Sequence, residues 1–193
     1  MEHERAAAIT ALIAAPQVFD PGRVLVPALQ SICAADGSGV GSHIGSDQQR
    51  LRLWRHACAF LLARSEFAPP APTDWSQPVT LPCRCEDCRA LQSFALDPRL
   101  REQRFRVRQD RREHLQRQIA QHELHMSHVT ERSGSPQTLV CRKTREAYRR
   151  QCRQHADDIA AMRALQALGG AALSAECARL AAAAARQPNP VEG

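Results

Sequence analysis

Lysine occurs once in this chain, at Lys143, although the formal net charge is +6. The positive charge is therefore carried by arginine, whose planar fork suits phosphate and carboxylate but also clothes helix surfaces well. Aromatic residues make up only 4% of the 193, so any core must be built mostly from Leu, Ala, Ile and Val. β-Branched residues are sparse, while Ala, Leu, Arg and Gln dominate, which excludes an all-β fold and points to a mainly helical one. No apolar run is long enough to cross a membrane. The opening residues Glu2, His3, Glu4 and Arg5 lack the apolar centre of a secretory leader. A reducing cytoplasm is the expected location, with thiols rather than a disulfide framework.

Several kinds of chemistry are missing as well. Gly37-Ser38-Gly39-Val40-Gly41 has neither the lysine nor the preceding strand of a phosphate-binding loop, and no His-Glu-x-x-His helix or Gly-x-Ser-x-Gly elbow occurs. His155-Ala156-Asp157 matches the start of an iron(II) facial triad, but it sits in a helical pattern and no histidine follows it. It reads as an exposed helical pair. The chain holds no complete catalytic constellation. The enzymatic alternative is a metal-dependent fragment whose active site another domain or chain completes.

What is present centres on the stretch from Cys83 to Lys143. Of the eight cysteines, three fall in Cys83-Arg84-Cys85-Glu86-Asp87-Cys88. Cys33, Cys58, Cys152 and Cys177 sit mostly at apolar helical positions, where cysteine behaves as a small hydrophobe. Thiolates crowded into a Cys85-x-x-Cys88 knuckle repel one another unless a cation neutralises them. Imidazoles follow on later elements, at His114 and in the group His122, His125 and His128. Soft sulfur plus imidazole is the ligand chemistry of structural Zn²⁺. The expected set is Cys85, Cys88, His114 and His128, with Cys83 competing for a thiolate place and His125 for an imidazole place. His125 and His128 have opposite parity on a regular strand, so only one of them points inward. Four protein ligands leave no position for a substrate water, so the expected metal is structural rather than catalytic.

The rest of the chain is read around that unit. Residues 4–15 form an Ala-rich helix stopped by Pro16. Asp20-Pro21 starts a second helix, with aspartate as cap and proline in the first turn. Residues 37–45 are a Gly/Ser loop, and Ser46 or Asp47 caps a third helix. That helix carries the stripe Leu51, Trp54, Cys58, Leu61 and Leu62. Residues 1–66 are thus a helical layer, and residues 67–82 a Pro-rich linker in which Trp75 is an anchor packed on the neighbouring domain.

Residues 83–144 are the zinc-binding α+β unit. It has a short helix after the knuckle, a strand in the alternating run Arg104-Phe105-Arg106-Val107-Arg108, and a helix capped by Asp110. Strand-like runs on either side of Ser133-Gly134-Ser135-Pro136 form a β-hairpin. Residues 145–193 are C-terminal helices. Thr144 caps the first, which bears Tyr148, Cys152, Ile159 and Met162 and is broken at Gly169-Gly170. A last helix carries Leu173, Cys177 and Leu180, and the tail from residue 187 is frayed. The fold class is α+β, mostly α. Residues 99–153 carry an excess of arginine, which would draw a nucleic acid if those charges shared a face.

Five segments carry a resemblance: Leu62-Ala63-Arg64-Ser65-Glu66; Pro72-Thr73-Asp74-Trp75; Cys85-Glu86-Asp87-Cys88-Arg89-Ala90-Leu91; Arg112-Glu113-His114-Leu115; and His128-Val129-Thr130-Glu131-Arg132-Ser133-Gly134-Ser135-Pro136-Gln137-Thr138-Leu139-Val140. They resemble the C-terminal, zinc-finger-like region of large bacterial and fungal 2-oxoglutarate/Fe(II) oxygenase-like proteins. The similarity covers roughly residues 60–159. The chain lacks the jelly-roll strands and the complete iron triad of such enzymes, so the resemblance implies an accessory module rather than an oxygenase active site. It also implies His114 and His128 as imidazole ligands. The expected function is a non-catalytic structural-zinc module that mediates binding to a protein or a nucleic acid.

Overall fold

The computed structural model describes residues 2–35, 48–169 and 173–186. The Gly/Ser loop at 37–45, the caps Ser46 and Asp47, Gly170 and the tail from residue 187 lie outside the described residues. The protein is α+β: helices α1 (Glu2–Ala14), α2 (Val26–Ala35), α3 (Gln48–Ser65), α4 (Glu86–Leu96), α5 (Gln109–Gln121), α6 (Glu146–Gly169) and α7 (Ser174–Ala184), with strands β1 (Glu102–Arg106), β2 (Met126–Glu131) and β3 (Thr138–Lys143). The chain divides into two compact units, one of residues 1–70 with 151–193 and one of residues 71–150.

The first unit is helical. Asp20 caps a π-helical turn, Pro21–Leu25, that runs straight into α2; its Oδ1 accepts from the Arg23 N–H at 3.1 Å. The apolar stripe of α3 is buried through Trp54, Cys58, Leu61 and Leu62, and it packs with Ile159, Met162 and Leu165 of α6 and Leu180 of α7. The C-terminal helices therefore share one core with α2 and α3. Trp54 is fully buried, and its indole N–H donates to the Leu165 carbonyl at 2.9 Å, which satisfies the one polar atom the ring takes inside.

A polar cluster sits beside this core. Asp158, 1% exposed, accepts from Arg64 Nε at 2.8 Å and Nη2 at 2.5 Å, and also from the Ser65 hydroxyl. Arg64 also pairs with Asp20, and its charged form is favoured further by these carboxylates even though burial opposes it. His155 was expected to be exposed. It is instead 2% exposed, because one helical turn before Ile159 places it on the inward face of α6. Asp157 does face outward, within 3.8 Å of Arg23.

The second unit is an antiparallel sheet in the order β1-β3-β2, with α4 and α5 contributing to the same core. Phe105 of β1, Leu139 and Cys141 of β3 and Met126 of β2 pack with Leu91 and Phe94 of α4 and Leu115 and Ile119 of α5. Alternation along β1 puts Glu102, Arg104 and Arg106 on the opposite face. There Arg104 pairs with Glu102 and Glu131, and Arg142 pairs with Glu102 at 2.6 Å.

Two expected caps are replaced. α5 begins at Gln109 with Arg108 in the cap position and no side-chain cap bond, so Asp110 already lies inside the helix. Thr144 gives its hydroxyl to the His125 carbonyl at 3.0 Å, tying the start of β2 to the end of β3. The single lysine is spent inside: Lys143 is 1% exposed, donates to the Asp97 carbonyl at the end of α4 and lies 4.7 Å over the Phe94 ring. Burial lowers its pKa. Trp75, in the Pro-rich segment, is anchored in this unit. Its N–H donates to the Pro98 carbonyl at 3.0 Å, and the guanidiniums of Arg101 and Arg145 lie 4.8 and 4.5 Å from its ring.

The end of α6 generates a testable packing constraint. A Cβ on Gly169 would lie 2.4 Å from Cys177 Sγ and 2.9 Å from Trp54 Cζ2. Helix propensity favours alanine over glycine by about 1 kcal/mol, but forcing a methyl group into a filled core costs about 1–3 kcal/mol. Gly169→Ala is therefore expected to lower the thermal midpoint by several degrees, measured by circular dichroism; an unchanged or raised midpoint would show that the packing gives way freely.

Candidate metal centre

The site is built from the start of α4, the middle of α5 and the extended segment before α4. Leu81 is buried and its N–H donates to Gln92 Oε1 of α4 at 2.8 Å, which fixes the approach of the chain to the knuckle. Cys83 follows, half-buried, then Cys85, exposed, in the cap position of α4. A cysteine there can accept from the helix's unpaired N–H groups, and Cys85 Sγ does so from Cys88 N at 3.4 Å. Cys88, one turn into α4, is fully buried.

His114 comes from the middle of α5. Its Nε2 lies 3.1 Å from Cys88 Sγ, 3.4 Å from Cys83 Sγ and 3.7 Å from Cys85 Sγ. Each of the four residues offers one ligand atom, and all four atoms lie within 4.8 Å of one another. A tetrahedral zinc with its usual bond lengths requires a sulfur–nitrogen spacing of about 3.6 Å. The observed spacings straddle that value, so this Cys₃His cluster can hold a metal ion.

An ion pair holds the two helices in this arrangement. Arg111 of α5 grips both carboxylate oxygens of Asp87 on α4, with Nη2 to Oδ1 at 2.5 Å. Asp87 precedes Cys88 in the chain, and Arg111 lies three residues before His114, on the same helix face. The clamp therefore fixes Cys88 against His114 without any metal. The Asp87 carboxylate raises the Arg111 pKa, and the Cys85 sulfur adds a smaller contribution in the same direction. The guanidinium thus also offsets the net negative charge of a cluster of thiolates around a divalent ion.

The thiols are unequal. The Cys85 backbone N–H, followed by the side chains of Cys85, His114 and Cys88, brings the Cys83 thiol down to about 7. Burial, reinforced by the neighbouring sulfurs of Cys85 and Cys83, pushes Cys88 up. The cluster by itself readily ionises one thiol and resists ionising the buried one, which is the charge state a bound divalent cation would reverse.

Of the residues singled out in the sequence, Cys85, Cys88 and His114 come together, with Cys83 as the fourth member in place of His128. His128 lies on β2, an edge strand of the sheet, and its side chain is exposed. It borders a hollow of about 400 Å³ with His125, Met126, Leu124 and the last turn of α5 at Ile119 and Ala120. That end of α5 is about 8 Å further along the helix axis than His114, so His128 and His125 are kept from the sulfurs. His122, at the C-cap of α5, is also outside the cluster. The knuckle nominates Cys83 as a competitor for a thiolate place, and it enters the cluster beside both other sulfurs rather than instead of one. The Asp87–Arg111 clamp had no signal beyond the position of each partner beside a ligand.

Comparison with protein-family models, with curated proteins and with solved structures finds no match.

Two outcomes follow from this geometry. In metal-free protein, alkylation of Cys83 by iodoacetamide is expected to reach half its maximal rate near pH 7, because the folded thiol ionises at about 7, well below an ordinary thiol. Peptide mass spectrometry across pH would show it, and a midpoint near that of an unfolded thiol would contradict the arrangement. Arg111→Ala is expected to weaken metal affinity by about 10–100-fold, as loss of a supporting partner does elsewhere, when measured by competition with a chromophoric chelator.

Proposed function

We propose that residues 71–150 form a non-catalytic unit fastened by one structural Zn²⁺, held by Cys83, Cys85, Cys88 and His114, and that the chain works through it as a binding module. The observation that carries this reading is the convergence of three sulfurs and one imidazole nitrogen at tetrahedral spacing, with no carboxylate among them. Sulfur-rich, four-ligand sets with short knuckle spacing are those of structural zinc; catalytic sites keep a position open for water. A small unit with a modest core gains most from such a staple, because metal binding adds directly to folding free energy. The role agrees with the accessory module implied by the resemblance to oxygenase C-terminal regions.

A protein partner is favoured over a nucleic acid. Much of the charge between residues 99 and 153 is consumed internally: Arg104 and Arg142 by glutamates on the sheet, Arg111 by Asp87, and Lys143 by a buried carbonyl. Arg101 and Arg145 are laid on Trp75. Charges paired in this way release few counterions on binding a polyanion, so they do little for nucleic-acid affinity. Among the described residues no helix is long and apolar enough to cross a membrane.

Metal analysis tests the reading. Protein purified without added metal should carry about one zinc per chain, and Cys88→Ser should lose both that zinc and the protection of β1, β3 and α5 against hydrogen exchange. Retention of full protection in metal-free protein would remove the structural role; iron in place of zinc would remove the assignment of the metal.

A further inference from the structure

The far side of α5 from the metal cluster holds a second site. Arg112 and His114 are two residues apart, so they project from nearly opposite faces of the helix. Arg112 is 9% exposed. Its Nη1 donates to the Val107 carbonyl at 2.8 Å and the Gln137 carbonyl at 3.5 Å, and its Nη2 to Gln137 Oε1 at 3.1 Å. All three acceptors are neutral. Arg104, Arg111 and Arg142 each have a carboxylate, and Arg106, which reaches only the Ser135 carbonyl, is exposed, whereas Arg112 is buried and pairs with no carboxylate among the described residues. A buried guanidinium without a counter-charge is costly, and neutral oxygens offset only part of that cost.

The charge opens onto a hollow of about 340 Å³. Arg112 lines it with Gln109, Gln116, Thr130, Arg132 and Gln137. The amides and the hydroxyl are hydrogen-bonding groups of the kind that fix an oxyanion's orientation, and Arg132 supplies a second, exposed guanidinium. The hollow also reaches the first turn of α5. Arg108, in the cap position, makes no side-chain cap bond, so the positive end of the helix adds to the same field, offset in part by Asp110 in that turn. One carboxylate, Glu113, belongs to the lining, and it accepts from Gln109 Nε2 at 2.9 Å.

We propose that this hollow binds a small phosphate-class oxyanion, either inorganic phosphate or a phosphate monoester, with Arg112 and Arg132 as its cationic walls. The hollow is an open depression bordered by the helix on one side and by β2 and the hairpin turn on the other, of a size that takes one compact anion. None of its groups is a member of the metal cluster: they hang from the opposite face of α5 and from β2 and the hairpin turn, so the site relies on the metal only through the folding of α5.

The test is a titration of the ¹⁵N-labelled full chain with inorganic phosphate, with a mononucleotide and with a short single-stranded oligonucleotide. Sodium chloride at equal ionic strength is the reference. Saturable amide shifts at Gln109, Thr130 and Gln137 are expected with phosphate or the mononucleotide. Arg132→Ala, an exposed change, should weaken that binding about tenfold, since one charge-assisted contact is lost. Glu113→Gln should tighten it by removing the one like charge. Shifts identical to those in chloride, or an affinity unmoved in Arg132→Ala, would overturn the proposal. So would binding of the oligonucleotide alone, which would make the face a nucleic-acid interface instead.

Discussion

Three sulfurs and one imidazole nitrogen gathered within 4.8 Å of one another impose the central constraint on the second unit. Fully ionised, the thiolates would repel strongly; fully protonated, they would bury polar groups with weak partners. The protein strikes an intermediate balance, with Cys83 ionising easily and the buried Cys88 resisting. A bound metal ion would resolve that tension, and the four atoms lie close enough together to hold one. The surrounding architecture serves to hold the four atoms there: Cys85 as a helix cap, Gln92 holding the incoming chain, and Asp87–Arg111 joining the two helices.

Arginine is used in this chain as a structural material. Arg64 ties Asp158 and Asp20 in the helical unit. In the other unit Arg111 clamps α4 to α5, Arg104 and Arg142 knit the outer face of the sheet, and Arg101 and Arg145 lie on Trp75. The planar fork makes such two-ended contacts possible where lysine could make only one. Against that background Arg112 stands apart, since it is buried and yet its fork reaches only neutral oxygens. A net charge of +6 therefore says little about partners until each guanidinium has been placed.

The helical unit shows a different economy. With few aromatics available, Trp54 is placed at the centre of the core, where Gly169 and Cys177 meet it. A glycine at the end of α6 thus serves close packing as well as helix termination. The polar cluster around Asp158 is the costlier feature: a nearly inaccessible carboxylate held by an arginine, a serine and Gln154. Such a group is satisfied only in one register of α3 against α6, which gives it a role in selecting that register.

Local rules made much of this protein legible from its residues. The stripe on α3, the aspartate cap before α2, the alternating run of β1, the hairpin and the sulfur knuckle all declare themselves through periodicity or spacing, because they depend on neighbours close in sequence. The helix starts near Asp110 and Thr144 were misjudged, because tertiary partners claimed the chain first: Thr144 is held by the His125 carbonyl. The burial of His155 was likewise decided by what packs against α6. The fourth ligand position, too, was beyond the sequence. His128 and Cys83 are equally good chemistry, and only the strand order β1-β3-β2, which leaves His128 at an edge beside the far end of α5, determines that Cys83 joins the cluster. The amino-acid sequence thus determined which ligand types were available and where the knuckle lies. The tertiary structure alone decided which of them meet, because that depends on distances between segments far apart in the chain.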